Sequence, residues 1–427
     1  MPRILHLGLG NFHRAHQAWH TAHAGGWPIT GVVMGNRALF DALQRQTGHY
    51  HLGIRSVGGL SVERITLHDR LILARDDPQS VIAAIADPDT HIITLTVTEK
   101  GYCLGPDGRL DLGNPAVLSD LSDGPRSAIG MLAHGLARRE DPVTVISCDN
   151  ISGNGRTLGA AIRDFARAAA LELTAGIRFP DTMVDRITPA TTAAIQAEIE
   201  AETGTPDEAP VLTEAFSEWI IEDDFAGPRP EWERAGVEIV PDVAPYEKRK
   251  LRLLNAAHSY LAYAGLSAGH RYVHEAMADP DLRAGVERLW DEAQTTLPGI
   301  VQPTLPTYRA ALVDRFAVAE MRHELAQIAC DGSLKLRERL VPIIAEQTAA
   351  PQARQAVAAW MAFVVNAHGT GQPLTDPNAE RISKLIEDCS APDVLCKSLA
   401  GLVSLADLSE EDWATLAADF ARLSRQL

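Results

Sequence analysis

Four polar residues between positions 247 and 258 have the types and spacing of a proton-transfer site: Glu247, Lys250, Asn255 and His258. The stretch from Pro245 to Tyr260 reads as one helix. Pro245 suits the first helical position, where its missing N–H is not needed, and strong helix formers follow with no glycine or second proline. At about 100° per residue the four polar residues fall within roughly 140° of one another. Leu251 and Leu254 share that arc, so the polar groups sit in an apolar surround. A lysine ammonium titrates near ~10.4 and is a poor proton acceptor at neutral pH; desolvation and neighbouring cations bring it down. Lys248, Arg249 and Arg252 supply cations nearby, and Glu247 acts against them. A lysine held between these influences exchanges a proton with a substrate hydroxyl. Asn255 can donate a hydrogen bond to an oxygen that gains charge, and His258 can orient a neighbouring hydroxyl. A solvated basic helix has the same composition, so the choice rests on the elements around this one.

The chain has 427 residues, 46% of them hydrophobic, which suits two packed domains. The net charge of −17 argues against nucleic acid and against an anionic membrane surface as partners. It leaves open a small anionic substrate, which meets only its local site. Cys103, Cys148, Cys330, Cys389 and Cys396 are scattered, with no CxxC pair, so neither a disulfide framework nor a zinc cluster is expected. Met1 leads directly into a strand pattern without a leader-like apolar stretch, and no apolar run reaches membrane-spanning length. A soluble cytoplasmic protein, monomeric or a small homo-oligomer, is the expectation.

Ile4 to Gly8 reads as a buried strand ending in Gly8-Leu9-Gly10-Asn11-Phe12-His13-Arg14-Ala15-His16, with a helix over Gln17 to Ala24. Strand, glycine turn and helix are how a dinucleotide-binding unit begins. The first glycine allows a tight turn, and the second lets backbone amides approach a pyrophosphate. His13 stands where a third glycine is usual. His13 and His16 are spaced for a metal pair, yet no third ligand stands out, and polar contacts beside a phosphate are the simpler use. Ile29 to Gly35 is a second strand. At its end, where a ribose-binding acid is usual, stand Asn36 and Arg37, with Asp41 further on. An arginine there can favour a 2′-phosphate, which leaves NAD and NADP both open on the residues alone.

Ser56 to His68 and Leu71 to Ala74 give strand material, and Val81 to Ala86 a helix. Thr90 to Thr98 is the strongest strand and runs into Glu99-Lys100-Gly101-Tyr102. Helices are predicted over Ala128–Arg139 and Thr157–Thr174, with a strand over Pro142–Ser147 between them. That strand ends in Cys148-Asp149-Asn150, so Asn150, like Glu99 and Lys100, stands where strand ends line a ligand crevice. Phe179 to Pro189 reads as a loop, with Asp185 and Arg186 either a surface ion pair or site residues. Strands follow over Val211–Ile221 and Val237–Val240. From Tyr260 onward the pattern is helical: Tyr272–Ala278, Pro280–Gln294, Thr307–Arg315, Glu320–Cys330, Ser333–Gln347, Ala353–Asn366, Glu380–Cys389 and Asp393–Leu405. The expected architecture is an α/β Rossmann-like dinucleotide-binding domain over 1–240 and an all-α substrate and catalytic domain over 241–427. Hydride transfer between a nicotinamide and a secondary alcohol or ketone, with lysine as acid/base, fits this set.

Several motifs together resemble the polyol-specific long-chain dehydrogenases, the family that includes mannitol 2-dehydrogenase and fructuronate reductase. They are Gly8 to His16, Thr98 to Tyr102, Ser147 to Asn150 with Asn154-Gly155, and Phe179-Pro180 with Met183 to Pro189. Lys250 with Leu253-Leu254-Asn255 and His258-Ser259, and Asp331-Gly332-Ser333 with Lys335, complete the set. The resemblance spans nearly the whole chain, and His13 belongs to the family pattern. It implies Lys250 as general base, Asn150 and Asn255 as the pair holding an alkoxide, and His258 as a substrate contact. It further implies Asp185 and Lys335 near the substrate, Glu99 and Glu247 near the proton route, no zinc, and NAD as cofactor. Gly8, Gly10, Asn11, Phe12, His13, Arg14, Asn36 and Arg37 are the corresponding cofactor candidates. Gln327-Ile328-Ala329-Cys330 and Lys335-Leu336-Arg337-Glu338-Arg339 are similar to the fructuronate-reductase branch, which points to D-fructuronate and D-mannonate; fructose and mannitol are the close alternative. A uronate carboxylate needs a cation, for which Lys100, Arg337 and Arg339 are candidates. A Rossmann methyltransferase or a non-catalytic nucleotide-binding regulator would share the glycine turn, but neither has a use for the lysine helix.

Overall fold

A computed structural model describes residues 1–173, 176–347, 349–389 and 391–425 of the chain. Its contacts divide it into two compact units, Met1–Ala244 and Pro245–Leu427.

The first unit holds twelve strands among its described residues. In chain order they are β1 (Arg3–Leu7), β2 (Ile29–Val33), β3 (Tyr50–Ser56), β4 (Gly59–Ile65), β5 (His68–Leu73) and β6 (Thr90–Leu95). There follow β7 (Val143–Ser147), β8 (Ile177–Arg178), β9 (Thr182–Asp185), β10 (Val211–Glu214), β11 (Glu218–Glu222) and β12 (Glu238–Val240). Six of them form one all-parallel sheet in the order β5-β2-β1-β6-β7-β8. Ranked by position along the chain this is 3-2-1-4-5-6, the Rossmann order, which reverses between β1 and β6. The parallel strands are buried on both faces, hence their unbroken apolar runs. One face packs Val81, Ile82, Ile85, Ile129, Leu132, Leu136, Leu158, Ile162 and Phe165 from three helices. The other packs the helix Gln17–His23 and two small sheets, β10-β3-β4 and β12-β11-β9, around Tyr50, Val184, Trp219 and Trp232.

The small sheets are where the pattern misleads. Val211 to Ile221 is not one strand. It breaks at Ala215–Ser217 into β10, which pairs with β3, and β11, which pairs with β9 and β12. No glycine or proline marks the break, because the chain turns to join a different sheet. The expected loop Phe179–Pro189 contains β9, and Asp185 and Arg186 are buried at its end instead of forming a surface pair. Arg186 donates to Glu214 O and Ala15 O and lies over the Trp19 ring. The region from 56 to 68 is a hairpin, whose first strand already starts at Tyr50. The helix expected over Thr157–Thr174 runs Asn154–Ala168, and Thr174 lies outside the described residues. Helices Arg37–Arg45, Pro115–Asp123 and Ala193–Thr203 were not anticipated.

The second unit is helical, as its periodicity predicts. The stretch 320–330 is a short 3₁₀ turn, Ala319–Met321, followed by Leu325–Ile328. The stretch 333–347 divides at Leu340 because Pro342 opens a new helix, Val341–Ala345. Glu410–Ser424 adds a further helix. Among the described residues no helix is long and apolar enough to cross a membrane.

Two devices in the first unit hold strand ends in place. Asn154 is fully buried: its amide donates to Asp149 O (3.0 Å), Thr182 O (3.0 Å) and Thr182 Oγ1 (3.1 Å), and its Oδ1 accepts from Thr182 N (2.9 Å). It thus joins the end of β7 to the start of β9. Beneath β1, β2 and β6 lies a set of buried histidines. His6 and His13 stack at 3.4 Å, His13 Nε2 meets His68 Nε2 at 3.0 Å, and His6 bridges Thr94 and Thr96. Burial holds His20 and His68 each down to about 3, and pushes His6 and His13 well below the ordinary histidine range, so all four are neutral in the fold.

Asn154→Ala leaves the buried Thr182 N–H unpaired and is expected to lower stability by about 3 kcal/mol, read as a lowered urea midpoint with an unchanged slope; a loss under ~0.5 kcal/mol contradicts the role. Above an unfolded histidine pKa of ~6.5 both states are neutral and the histidine cluster has no pH effect. Below it the unfolded chain takes up protons that the fold excludes. Stability is then lost by about 1.4 kcal/mol per pH unit for each of His20 and His68, as pH falls from ~6.5 toward their folded values. Urea midpoints at pH 7.5 and 5.5 check this, and a flat profile between them contradicts it.

Candidate active site

The turn after β1 is fixed by contact. Gly8 has φ +94°, and a Cβ there would lie 2.1 Å from Thr96 O, so only glycine fits. Thr96 N donates to Leu7 O (2.9 Å) and Thr96 Oγ1 to Gly8 O (2.9 Å), which locks the ends of β1 and β6 together. Gly10 is different: a Cβ there would meet nothing nearer than Gly8 O at 3.6 Å. The space beside Gly10 is therefore open, at the place where the strand order reverses and ligands bind in such sheets.

The side chains that follow do not face that space as expected. The helix is two short pieces, Asn11–Ala15 and Gln17–His23, broken at His16. Asn11 donates to Thr191 Oγ1 (3.2 Å) and Pro189 O (3.4 Å) and accepts from Arg14 Nη2 (2.7 Å). Arg14 is buried, donates also to Gly10 O (3.2 Å) and Ala209 O, and is pushed down to about 10 by burial. His13 is buried among histidines, and His16 Nε2 lies 3.0 Å from Glu218 O. Both histidines are fully buried and engage protein groups. Phe12 stacks on His16 at 5.0 Å. These side chains hold the turn from beneath.

Asn36 caps the helix Arg37–Arg45, its Oδ1 accepting from Leu39 N (3.1 Å). Arg37 is exposed and already engaged by Asp76, with Asp41 at 3.7 Å. Glu99 and Lys100 are exposed on a 3₁₀ turn after β6, entered through Thr98 at φ +64°. That strained entry is held by Asp149, whose carboxylate accepts from Val97 N (3.1 Å), Thr98 N (2.8 Å) and Tyr102 Oη (2.9 Å). Burial raises the Asp149 pKa despite these donors. Asn150 follows at an exposed bend, and Asp185 ends β9. Asp149, Tyr102 and Asn154 were not singled out from the sequence. A buried acid one residue before a candidate was the available signal.

In the second unit, the polar stretch is one continuous helical run with a widened middle: Ala244–Lys250 is α, Leu251–Asn255 is a π turn, and Ala256–Ser267 is α. Ala256 N–H reaches back five residues to Leu251 O. A π turn advances each residue by less than 100°, so Asn255 swings toward the face of Lys250. Lys250, Asn255 and His258 are each about 8% exposed, while Glu247 is half-buried. The flanking cations are drawn elsewhere. Lys248 Nζ (3.0 Å) and Arg252 pair with Glu346, whose pKa they hold at about 2, Arg252 first. Arg249 donates to Thr304 Oγ1 (2.9 Å) and lies over the Tyr308 ring.

The side-chain amide of Asn255 makes no hydrogen bond among the described residues. His258 packs on Phe316 at 4.8 Å and edge-on to His323 at 5.1 Å, and its Nε2 is buried without a partner. Burial, then His323, Arg315, Arg339 and Lys335, push it well below the ordinary histidine range. The motif Asp331-Gly332-Ser333 starts the helix that carries Lys335. Asp331 has φ +56°, a Cβ on Gly332 would lie 2.4 Å from Tyr263 Oη, and Ser333 is tied to Asp376 and Asn378. Lys335 donates to Ile328 O (3.3 Å). Lys250, Asn255 and His258 thus share one helical run, and His323, Arg315, Arg339 and Lys335 act on His258 from other elements of this unit.

The mannitol dehydrogenase Rossmann-domain model matches residues 2–234, and the mannitol dehydrogenase C-terminal-domain model matches residues 242–417. The chain is 36% identical to the D-mannonate oxidoreductase of Escherichia coli (strain K12) over 94% of its own length and 88% of that protein. It is 37% identical to the mannitol 2-dehydrogenase of Phaeosphaeria nodorum, over 93% and 75% respectively. The ternary complex of Pseudomonas fluorescens mannitol 2-dehydrogenase with NAD and D-mannitol superposes with a TM-score of 0.80, at 31% identity, over 99% of this chain and 91% of that one. Two family models in tandem and relatives matched over most of their length agree with the Rossmann strand order and the helical second unit: this chain belongs to the mannitol dehydrogenase family.

Proposed function

We propose that the protein is a zinc-independent NAD-linked oxidoreductase that interconverts a keto sugar acid and its hydroxy acid, D-fructuronate and D-mannonate, with Lys250 as general acid/base. The observation that carries this reading is the widened turn that sets Lys250, Asn255 and His258 on one buried helical face. Support comes from the relative that is a D-mannonate oxidoreductase and from the NAD held by the solved mannitol 2-dehydrogenase. The open space at Gly10, at the switch point of the sheet, suits a dinucleotide. Arg37 is occupied by two carboxylates, which favours NAD over a cofactor with an extra phosphate. The nicotinamide supplies or accepts the hydride when bound.

The chain's own groups handle the proton and the oxygen. In the reducing direction the carbonyl oxygen gains charge as hydride arrives at carbon. Asn255 offers its unengaged amide N–H to that oxygen. Lys250 gives it a proton and is reprotonated from solvent, with Glu247 three residues before it on the proton route. In the oxidising direction Lys250 takes the hydroxyl proton. His258 is neutral, so its buried Nε2 can accept from or donate to a substrate hydroxyl according to tautomer. The family resemblance assigns Asn150 as the second oxyanion donor and Asp185 and Lys335 as substrate contacts. The alternative, reduction of neutral fructose to mannitol, uses the same groups and differs only in what meets the far end of the sugar.

Lys250→Ala is expected to remove both oxidation and reduction while NADH binding, followed by fluorescence, persists; retained turnover overturns the assignment. Asn255→Ala and Asn150→Ala are each expected to cost on the order of 10²–10³ in kcat, measured as NADH oxidation. Fructuronate, tagaturonate and fructose compared side by side test the substrate, and a kcat/KM highest for fructose would replace the sugar-acid reading with the mannitol one.

A further inference from the structure

We propose that Arg339, with Lys335 one turn before it, receives the carboxylate of the sugar acid and so sets acid-over-neutral specificity. The inference rests on the sugar-acid reading above and assigns the residues that distinguish it from its alternative.

The three candidate cations differ in what they already hold. Lys100 is exposed on the 3₁₀ turn of the first unit. Arg337 is half-committed by packing: its Nε (3.2 Å) and Nη2 (2.6 Å) both donate to Leu402 O. Those two atoms form the edge of a guanidinium that matches a carboxylate in a parallel, two-bond contact. In Arg337 that edge is therefore taken. Arg339 is anchored the other way round. Its Nη1 donates to Ser259 Oγ (3.2 Å) and Asn255 O (3.5 Å), while Nε and Nη2 donate to nothing among the described residues. The anchored corner fixes the group beside the turn that carries Asn255, and the two-bond edge remains available.

Lys335 stands four residues before Arg339 on the helix Gly332–Arg339, so the two share a face. Its ammonium uses one hydrogen on Ile328 O. Both cations are half-buried, and burial lowers both; Lys335 is lowered further by Arg339. Of the acids that act on them, half-buried Asp331 lies four residues before Lys335 and raises it, Asp376 is occupied by Ser333 N and Oγ and by Asn378 N, and Glu338 is exposed. His258 has its Nε2 buried and unpartnered, lies edge-on to His323 at 5.1 Å, and feels the charges of Arg315, Arg339 and Lys335. Two desolvated cations with unspent donors, beside a neutral imidazole nitrogen, suit a carboxylate carried on a hydroxylated chain. A neutral hydroxymethyl group would leave the guanidinium edge unmatched.

The test compares full-length wild type with Arg339→Gln and Arg339→Lys. For Arg339→Gln the ratio of kcat/KM for D-fructuronate to that for fructose is expected to fall about tenfold to a hundredfold. Arg339→Lys, which keeps the charge and loses the fork, is expected to fall between. Equal losses for both sugars overturn the assignment. Binding of D-mannonate and of D-mannitol, followed by tryptophan fluorescence, gives a second readout that needs no turnover. Wild type is expected to bind mannonate more tightly, and Arg339→Gln to lose that margin; an unchanged margin overturns the assignment. A wild type that reduces only neutral ketoses, yet shows the Arg339-dependent margin, sinks the proposed reaction and leaves the subsite standing. Turnover of fructuronate with no Arg339 effect does the reverse.

Discussion

A π turn is an unfavourable thing to build from Leu251-Arg252-Leu253-Leu254-Asn255, a sequence of good helix formers that would close into an ordinary α-helix. The widened turn leaves backbone carbonyls poorly matched to the N–H groups above them, so something outside the turn must hold it open. Two outside side chains reach its carbonyls, and one of its own is tied outward. The Trp290 indole donates to Leu253 O at 3.0 Å, Arg339 reaches Asn255 O at 3.5 Å, and Arg252 is fixed by Glu346 and by Thr296 O at 3.1 Å. The shape of the lysine–asparagine face is thus set by the tertiary packing of the second unit. Arg339 stands in both stories: one corner supports the turn, and the opposite edge is what the sugar-acid reading needs.

In the first unit the same task, holding polar groups in unfavourable places, falls to buried hydrogen bonds. Thr98 enters its turn at a positive φ that a β-branched residue rarely adopts. Three donors converging on Asp149 keep it there. Gly8 is pressed so close to Thr96 that no side chain fits, and Asn154 ties β7 to β9. Around these stand neutral histidines: His6 uses its ring nitrogens on Thr94 and Thr96 and His20 on Ala235 O and Ser217, while His13 and His68 share one contact and each keeps a buried Nδ1 without a partner. That choice makes the unit sensitive to acid.

What could be read from the chain alone follows from this division. Five of the six parallel strands were legible, since buried strands need unbroken apolar runs and the glycine turn follows the first; β8, only Ile177–Arg178, is too short to show a pattern. The helical half was legible by period. The two small sheets were not, because β10 and β11 read as one strand until the chain is seen to leave one sheet for another. His13 and Arg14 looked like cofactor contacts because they follow the glycines, yet a buried helix start needs its own polar support. Lys250, Asn255 and His258 could be placed on one face, but the π turn that brings them closer carries no local signature. Arg337 and Arg339 are the same residue type two positions apart; the carbonyl of Leu402 on one, and Ser259 with the carbonyl of Asn255 on the other, tell them apart.

Charge makes the final connection. A net charge of −17 repels an anionic sugar at long range, but beyond about 8 Å salt screens most of that repulsion. What matters is which cations near the site remain uncompensated. Around Lys250 the neighbouring cations are withdrawn: Lys248 and Arg252 share Glu346, and Arg249 lies on Tyr308. His258 contributes a neutral ring. Positive charge is kept instead on Lys335 and Arg339, on another helix whose Arg339 reaches the carbonyl of Asn255. Separating the two serves opposite needs. An acid/base lysine works best when its proton affinity is not fixed by a crowd of charges, whereas a carboxylate site works best when full charge is held in place. The sequence of the second unit supplies both from the same small set of basic residues, by deciding which of them find an acid, a ring or a carbonyl before the substrate arrives.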